Sequence, residues 1–183
     1  MGFSMAGKFK FKKDNFLNQI NESWIAHGRD WTRPGFRAVL ICQFGKWRMT
    51  INYKLIRAPF SLIYRFFYRY IRNHYGIELP YTVLLGSRVI FEHQHGIVIH
   101  GNSIIGSDTI IRQGVTIGNR YISSPHDAPT IGDRVDIGAG AKILGAISVG
   151  NDVAIGANAV VLNDIPDGAT AVGIPAKIIK TRT

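Results

Sequence analysis

From position 99 onward an aliphatic residue recurs at every sixth position, as Ile99, Ile105, Ile111 and Ile117, then Ile131, Ile137, Ile143, Val149, Ile155 and Val161. A period of six fits neither an amphipathic helix nor an alternating strand. It predicts a repeat in which each hexapeptide forms one short strand and one tight corner, so that three sides close a triangular coil of about eighteen residues. The aliphatic side chain points inward and stacks on its counterpart in the next coil. Gly directly follows Ile105, Ile117, Ile131, Ile137, Val149 and Ile155. A corner must turn sharply, which Gly, Asn and Asp do most readily. The pattern predicts a parallel β-helix of about five coils, rather than a β-sandwich with evenly spaced turns.

Departures from the pattern mark the other elements. Residues 77–98 open the β-helix with imperfect hexads. Between Ile117 and Ile131 lie thirteen residues, where two ordinary hexads would leave eleven. The excess predicts a loop thrown from the prism, a common place for function. After Val161 the repeat decays into a closing segment, as the end of a solenoid requires. Upstream, residues 14–32 read as a short helix and a loop, with Phe16, Leu17 and Ile20 on one face. Pro34-Gly35 punctuates the chain. Residues 36–49 read as a helix with Phe36, Val39, Leu40 and Phe44 on one side. Residues 52–75 read as an aromatic-rich helix that Pro59 bends or begins and Gly76 caps. The chain is thus mainly β, with an N-terminal helical segment at 1–76 and a β-helix domain at 77–183.

Charge sharpens this division. Residues 1–80 carry 14 Lys+Arg and 4 Asp+Glu, a net of 14 − 4 = +10, whereas residues 81–183 carry 8 of each and are neutral. Residues 52–75 contribute Lys54, Arg57, Arg65, Arg69 and Arg72 with no acidic residue. That helix can pack on its own subunit or a symmetry mate, its arginines reaching to water. It can also lie on an anionic membrane surface. Nucleic acid is not expected, because no recognition motif accompanies the charge. The single cysteine, Cys42, excludes an internal disulfide and fits a reducing compartment. There is no apolar signal-peptide core and no run of eighteen apolar residues. A cytoplasmic protein is the expectation, peripheral to the inner membrane face if the basic helix binds lipid. Residues 1–13 read as a mobile basic tail.

Five motifs carry a resemblance: FEHQHGIVI at 91–99, IRQGVTIGNR at 111–120, IGAGAKILGAISVG at 137–150, IGANAVVL at 155–162 and AVGIPAKII at 171–179. Residues 76–179 resemble the hexapeptide-repeat acyltransferases, in the serine acetyltransferase branch. The short helical N-terminus looks most like the O-acetyltransferases of exopolysaccharide and capsule biosynthesis. The resemblance implies a left-handed parallel β-helix, a homotrimer, and acetyl-CoA as the acyl donor, bound in a groove between subunits.

Acetyl transfer from a thioester to a hydroxyl needs a general base, a carboxylate to orient it, and donors facing the developing oxyanion. By resemblance His93 is the base. Glu78, fifteen residues earlier, is the dyad carboxylate, in a place where the family often has Asp. Glu92 is carried over as acceptor-binding. His95 is an understudy, placed on the same strand face by a period of two. His100 reads as a coil-surface residue. Gly118, Gly138, Ala139, Gly156 and Ala157 match positions that line the pantetheine arm of coenzyme A; each Gly or Ala is equally explained by a close-packed coil. Lys177 lies near the expected nucleotide phosphates, with Lys142 a weaker candidate.

One departure concerns the acceptor. Serine acetyltransferases carry an Arg-His pair before a Pro at the end of the extended loop. Here Asp127 and Ala128 precede Pro129. An Asp cannot attract the serine carboxylate, although Arg120 and His126 could substitute. This favours a sugar hydroxyl as acceptor, with L-serine as the alternative and a membrane-binding scaffold as the non-enzymatic one. No metal is expected: His93, His95, His100 and His126 do not match the spacing of the zinc-dependent carbonic anhydrases of this fold. Cys42, in the helical segment, reads as a buried structural thiol rather than a nucleophile.

Overall fold

The structure, a computed structural model, describes residues 15–181. The tail expected at 1–13 lies outside the described residues. Three helices come first, α1 (Phe16–Ala26), α2 (Pro34–Arg48) and α3 (Lys54–Tyr70), and α3 continues into one π-helical turn, Ile71–Tyr75. Pro34 occupies the start of α2, where a missing N–H is harmless. Gly76 ends the π turn in the left-handed conformation, with φ 62°. Pro59 falls inside α3 and does not begin it. In α1 the expectation for Leu17 fails, since it is 66% exposed. Phe16 instead stacks on Trp47 of α2, and the buried residue of α1 is Ser23.

Short strands then follow in chain order: β1 (Ile77–Glu78), β2 (Leu84–Leu85), β3 (Ile90–Phe91), β4 (Ile97–Ile99), β5 (Ile104–Ile105), β6 (Ile110–Ile111), β7 (Thr116–Gly118) and β8 (Thr130–Ile131). The later ones are β9 (Asp136–Ile137), β10 (Lys142–Leu144), β11 (Ser148–Val149), β12 (Ala154–Ile155), β13 (Val160–Val161), β14 (Ala169–Val172) and β15 (Lys177–Thr181). They form three sheets, β1-β4-β7-β10-β13, β2-β5-β8-β11 and β3-β6-β9-β12-β14-β15. All pairs are parallel except the closing hairpin β14–β15. This is a left-handed parallel β-helix with N-terminal helices.

The hexad residues are its core. Ile99, Ile117, Ile143 and Val161 stack in the first sheet. Ile105, Ile131 and Val149 stack in the second, and Ile111, Ile137 and Ile155 in the third. All ten are at most 3% exposed. The register also corrects the loop arithmetic. Ile117 and Ile131 belong to consecutive sides, so the fourteen-residue step between them replaces one of six, and the insertion is eight residues (14 − 6) rather than two.

The corners work differently from the expectation. None of the glycines after the aliphatic positions has a positive φ. Except at Gly118, they are glycines because the next coil leaves no room: a Cβ on Gly138 would lie 2.5 Å from the Ala157 nitrogen and 2.7 Å from the Gly156 carbonyl carbon. The left-handed residue comes two positions later, and at one edge it is Arg88, Asp108, Arg134 and Asp152, with φ from 55° to 59°. L-residues with side chains resist this conformation. Forked Arg88–Asp108 and Arg134–Asp152 pairs, with N···O distances of 2.6–2.7 Å, offset the strain.

The helices pack directly on the prism. Gly35 in α2 sits against the Phe91 carbonyl, where a side chain would not fit. The buried His27, just after α1, receives the Phe91 N–H at Nε2 (3.3 Å) and approaches the Ser23 carbonyl through Nδ1 (2.8 Å). The Phe91 donor requires a lone pair on Nε2, so the imidazole is neutral with its proton on Nδ1.

Candidate active site

One edge of the prism, where the third sheet passes into the first, gathers most of the residues singled out. In successive coils it holds 92–96, 112–115, 138–141 and 156–159. A backbone ladder climbs it: His95 N–H to the Tyr75 carbonyl, Gly114 N–H to that of His95, Gly140 N–H to that of Gln113, and Asn158 N–H to that of Ala139, all 2.8–2.9 Å. Gly138-Ala139 and Gly156-Ala157 therefore lie one above the other. Lys177 is near this edge too. It pairs with Val172, whose side chain packs against Gly156, and it is exposed.

His93 lies in the lowest of these turns, exposed to solvent. Glu78 is in β1, one coil below β4, and its neighbour Gly76 packs against the His95 backbone. Glu78 registers with Val98 of β4, in the coil whose preceding turn carries His93, and the His93 imidazole forms no hydrogen bond or ion pair among the described residues. Glu78 instead meets the Tyr68 hydroxyl on α3 at 3.5 Å, the outer limit of a hydrogen bond. Burial, with the nearby Glu78 charge, pushes the Tyr68 phenol up to about 12. It stays protonated and can donate to the carboxylate. Sequence reasoning missed Tyr68, because a helix and a strand meeting in space leave no spacing signal.

Glu92 is engaged by Arg112 Nε at 2.8 Å, and the same guanidinium reaches Asp136 one coil above. Arg112 was also missed, although the coil arithmetic could have found it: Phe91 stacks on Ile111, so Glu92 lies under Arg112. His95 does not share a strand face with His93. Both sit in a turn, and His95 has φ 77°, so the period-two argument fails. Lys142 turns back to donate to the Gly114 carbonyl.

Gly118 ends β7 at a different edge, where the 119–129 loop leaves the prism. Arg120 opens that loop with its guanidinium 5.1 Å over the Tyr121 ring, and Ile122 at the tip is 97% exposed. His126 is exposed, and its carbonyl accepts from Asn102 Nδ2 at 3.2 Å, tying the loop to the coil. His100 is likewise engaged, its Nδ1 accepting the Asn102 N–H. Cys42 is fully buried, and desolvation pushes its thiol up to about 11, which makes it inert as a nucleophile. Among the described residues no three His, Cys, Asp or Glu side chains gather to hold a metal.

No family model matches the chain. Individual proteins do. The serine acetyltransferase of Helicobacter pylori (strain J99) is 42% identical over 146 residues, 80% of this chain and 81% of that protein. That of Mycobacterium tuberculosis is 36% identical over 157 residues, 84% of this chain and 69% of that one. Among solved structures, a serine acetyltransferase in complex with CoA superposes with a TM-score of 0.72 at 31% identity, covering 90% of this chain and 69% of that one. The similarity supports the serine acetyltransferase branch and gives no support to the narrower exopolysaccharide resemblance. The chain belongs to the serine acetyltransferase family and is an acyltransferase.

Proposed function

We propose that this protein is an acetyl-CoA-dependent serine O-acetyltransferase. The observation that carries the reading is the 42% identity to a serine acetyltransferase across 80% of the chain, helices and prism alike. The acceptor hydroxyl attacks the thioester carbonyl while His93 takes its proton. Glu78 steadies the imidazolium. The tetrahedral intermediate then collapses, and the coenzyme A thiolate leaves with the proton that His93 returns. Gly138, Ala139, Gly156 and Ala157 offer backbone to the pantetheine arm along one edge, Gly118 from its own edge could serve it only across a subunit boundary, and Lys177 offers a cation to the phosphates. A neighbouring subunit of a homotrimer would complete the Gly138–Ala157 edge as a groove. Glu92 and His95 flank the base on the acceptor side. Arg120 forms no ion pair among the described residues, so it is available to the serine carboxylate, with His126 on the same loop as a second candidate.

A second reading keeps the chemistry and changes the acceptor to a sugar hydroxyl of a surface polysaccharide intermediate. Asp127 and Ala128 favour it, because they stand where serine acetyltransferases carry an Arg-His pair. Thiol release from acetyl-CoA decides between them. Serine turnover with kcat/KM of about 10⁵ M⁻¹s⁻¹, and a KM raised at least ~10-fold in Arg120→Gln, is expected. Serine no better than buffer, with faster thiol release on a sugar acceptor, overturns the first reading in favour of the second. His93→Ala should lower kcat at least ~10²-fold with acetyl-CoA affinity little changed; wild-type turnover would remove His93 from the role.

A further inference from the structure

Among the described residues the outward face of α3 has no partner. Leu55 is 90% exposed, Leu62 65%, Phe66 66%, Ile56 57%, and Ile63, Phe67 and Tyr70 each 43–44%. At 100° per residue these seven side chains form one continuous stripe along the helix. Lys54, Arg65, Arg69 and Arg72, all exposed, lie along one flank of that stripe. No acidic residue occurs between 54 and 75. Arg65 and Arg69 meet no carboxylate among the described residues, and with Phe66 and Tyr70 they line a shallow groove of about 650 Å³.

The opposite face fixes this orientation. Tyr64 is buried edge-on against Tyr81, and Ser61 Oγ accepts from Arg48 Nη1 at 2.8 Å. The helix is therefore docked on the protein by its polar aromatic side and cannot roll its apolar stripe inward. No helix among the described residues is long and apolar enough to cross a membrane. A stripe of aliphatic and aromatic side chains beside a row of cations is the arrangement that lies in the plane of a lipid headgroup layer.

We infer that α3 is a peripheral membrane-binding surface for anionic lipid, with the apolar stripe seated among the acyl-chain ends and the cationic flank on lipid phosphates. A second copy of this chain suits the face poorly. Two α3 helices brought together would oppose eight cations with no carboxylate between them. The placement carries a consequence for the site: α3 leads through Ile71–Tyr75 straight into β1 and Glu78, so a bound protein would hold its candidate active edge near the lipid surface. The inference stands whichever acceptor is correct.

The test is co-sedimentation of the full-length protein with vesicles of phosphatidylcholine alone or with about one third phosphatidylglycerol. Binding at least ~10-fold tighter to the anionic vesicles at about 50 mM salt, and much weakened at about 500 mM, is expected. Arg65→Gln/Arg69→Gln and Leu62→Gln/Phe66→Gln should each weaken it at least ~10-fold, with thermal stability and acetyl-CoA turnover in solution unchanged. These positions are exposed, so the fold tolerates the changes. Equal binding to both vesicle types overturns the inference, as does wild-type binding by both variants. Light scattering showing that Leu62→Gln/Phe66→Gln splits a larger assembly overturns it too, and makes the face an interface between copies.

Discussion

His27 makes the stability of this protein depend on pH in a way that can be isolated. It is fully buried, with the Phe36 ring 6.0 Å away, and it joins the end of α1 to β3, two residues before His93. Desolvation by burial is the main cause that lowers its pKa from 6.5; the Ser23 carbonyl opposes that and the nearby Arg33 charge adds to it. Protonation would place an Nε2–H against the Phe91 N–H, two donors facing each other. Above pH 6.5 the imidazole is neutral both folded and unfolded, and its contribution is fully present. As pH falls below 6.5 the unfolded chain binds a proton that the folded chain refuses. Stability then drops by up to about 1.4 kcal/mol per pH unit until the folded pKa is reached. Removing the side chain also leaves the Phe91 N–H unpaired, a loss of about 1–3 kcal/mol at pH 7.5. The assay is urea unfolding at fixed protein concentration, at several pH values between 7.5 and 5.5, for wild type and His27→Gln. Other titrating groups cancel in the difference. Wild type should lose about 1 kcal/mol more than the variant over that range. Parallel pH profiles would refute the neutral buried imidazole.

The remaining expectations concern the prism and the site. Ile117→Ala empties the middle of the Ile99–Ile117–Ile143 stack, where rigid coils cannot collapse, and should cost about 3–4 kcal/mol by urea unfolding; Ile122→Ala, at the exposed loop tip, should cost nothing measurable. Gly138→Ala drives a methyl into the backbone of the next coil and should cost about 3 kcal/mol; unchanged stability would mean that Gly138 serves coenzyme A alone. Glu78→Gln should lower kcat at least ~10²-fold, and Tyr68→Phe about fivefold, the worth of one modest hydrogen bond; full activity in Glu78→Gln would break the dyad.

The prism was legible because its core repeats on a period that fits neither a helix nor an alternating strand. Each of the ten hexad positions is buried for the same reason, stacking on a like residue one coil away. The exact shape of the corners was not legible. Gly suggests φ freedom, but here it answers close approach between coils, and Arg88 and Arg134 take the left-handed turns through pairing that only the folded coil supplies. Leu17 was misassigned because α1 is too short for its pattern to fix a face. The candidate site was legible only where motif and coil coincide. His93, Gly138 and Gly156 share an edge by arithmetic, whereas Tyr68 reaches Glu78 across a helix–strand contact that no spacing encodes.

Donor and acceptor sides of this site are constrained by different physics. The edge proposed for coenzyme A is part of the stacking itself: a Cβ added to Gly138 would meet backbone of the next coil at 2.5–2.8 Å, and the Asn158 N–H donates a ladder bond to the Ala139 carbonyl. Substitution there disturbs the prism before it disturbs a ligand. The proposed acceptor side hangs on the 119–129 loop, tied to the coil by contacts such as Asn102 to His126 and carrying exposed Tyr121 and Ile122. Changes in that loop cost little stability. A sequence can therefore hold the prism and the donor edge while its acceptor drifts, and overall identity to serine acetyltransferases bears more heavily on the donor than on the acceptor. Asp127, a carboxylate where a cation would grip serine, is the residue on which that asymmetry turns. Asp127→Arg should lower the KM for L-serine at least ~10-fold if the loop reads the acceptor, and a KM unmoved by the reversal of charge would place acceptor choice elsewhere.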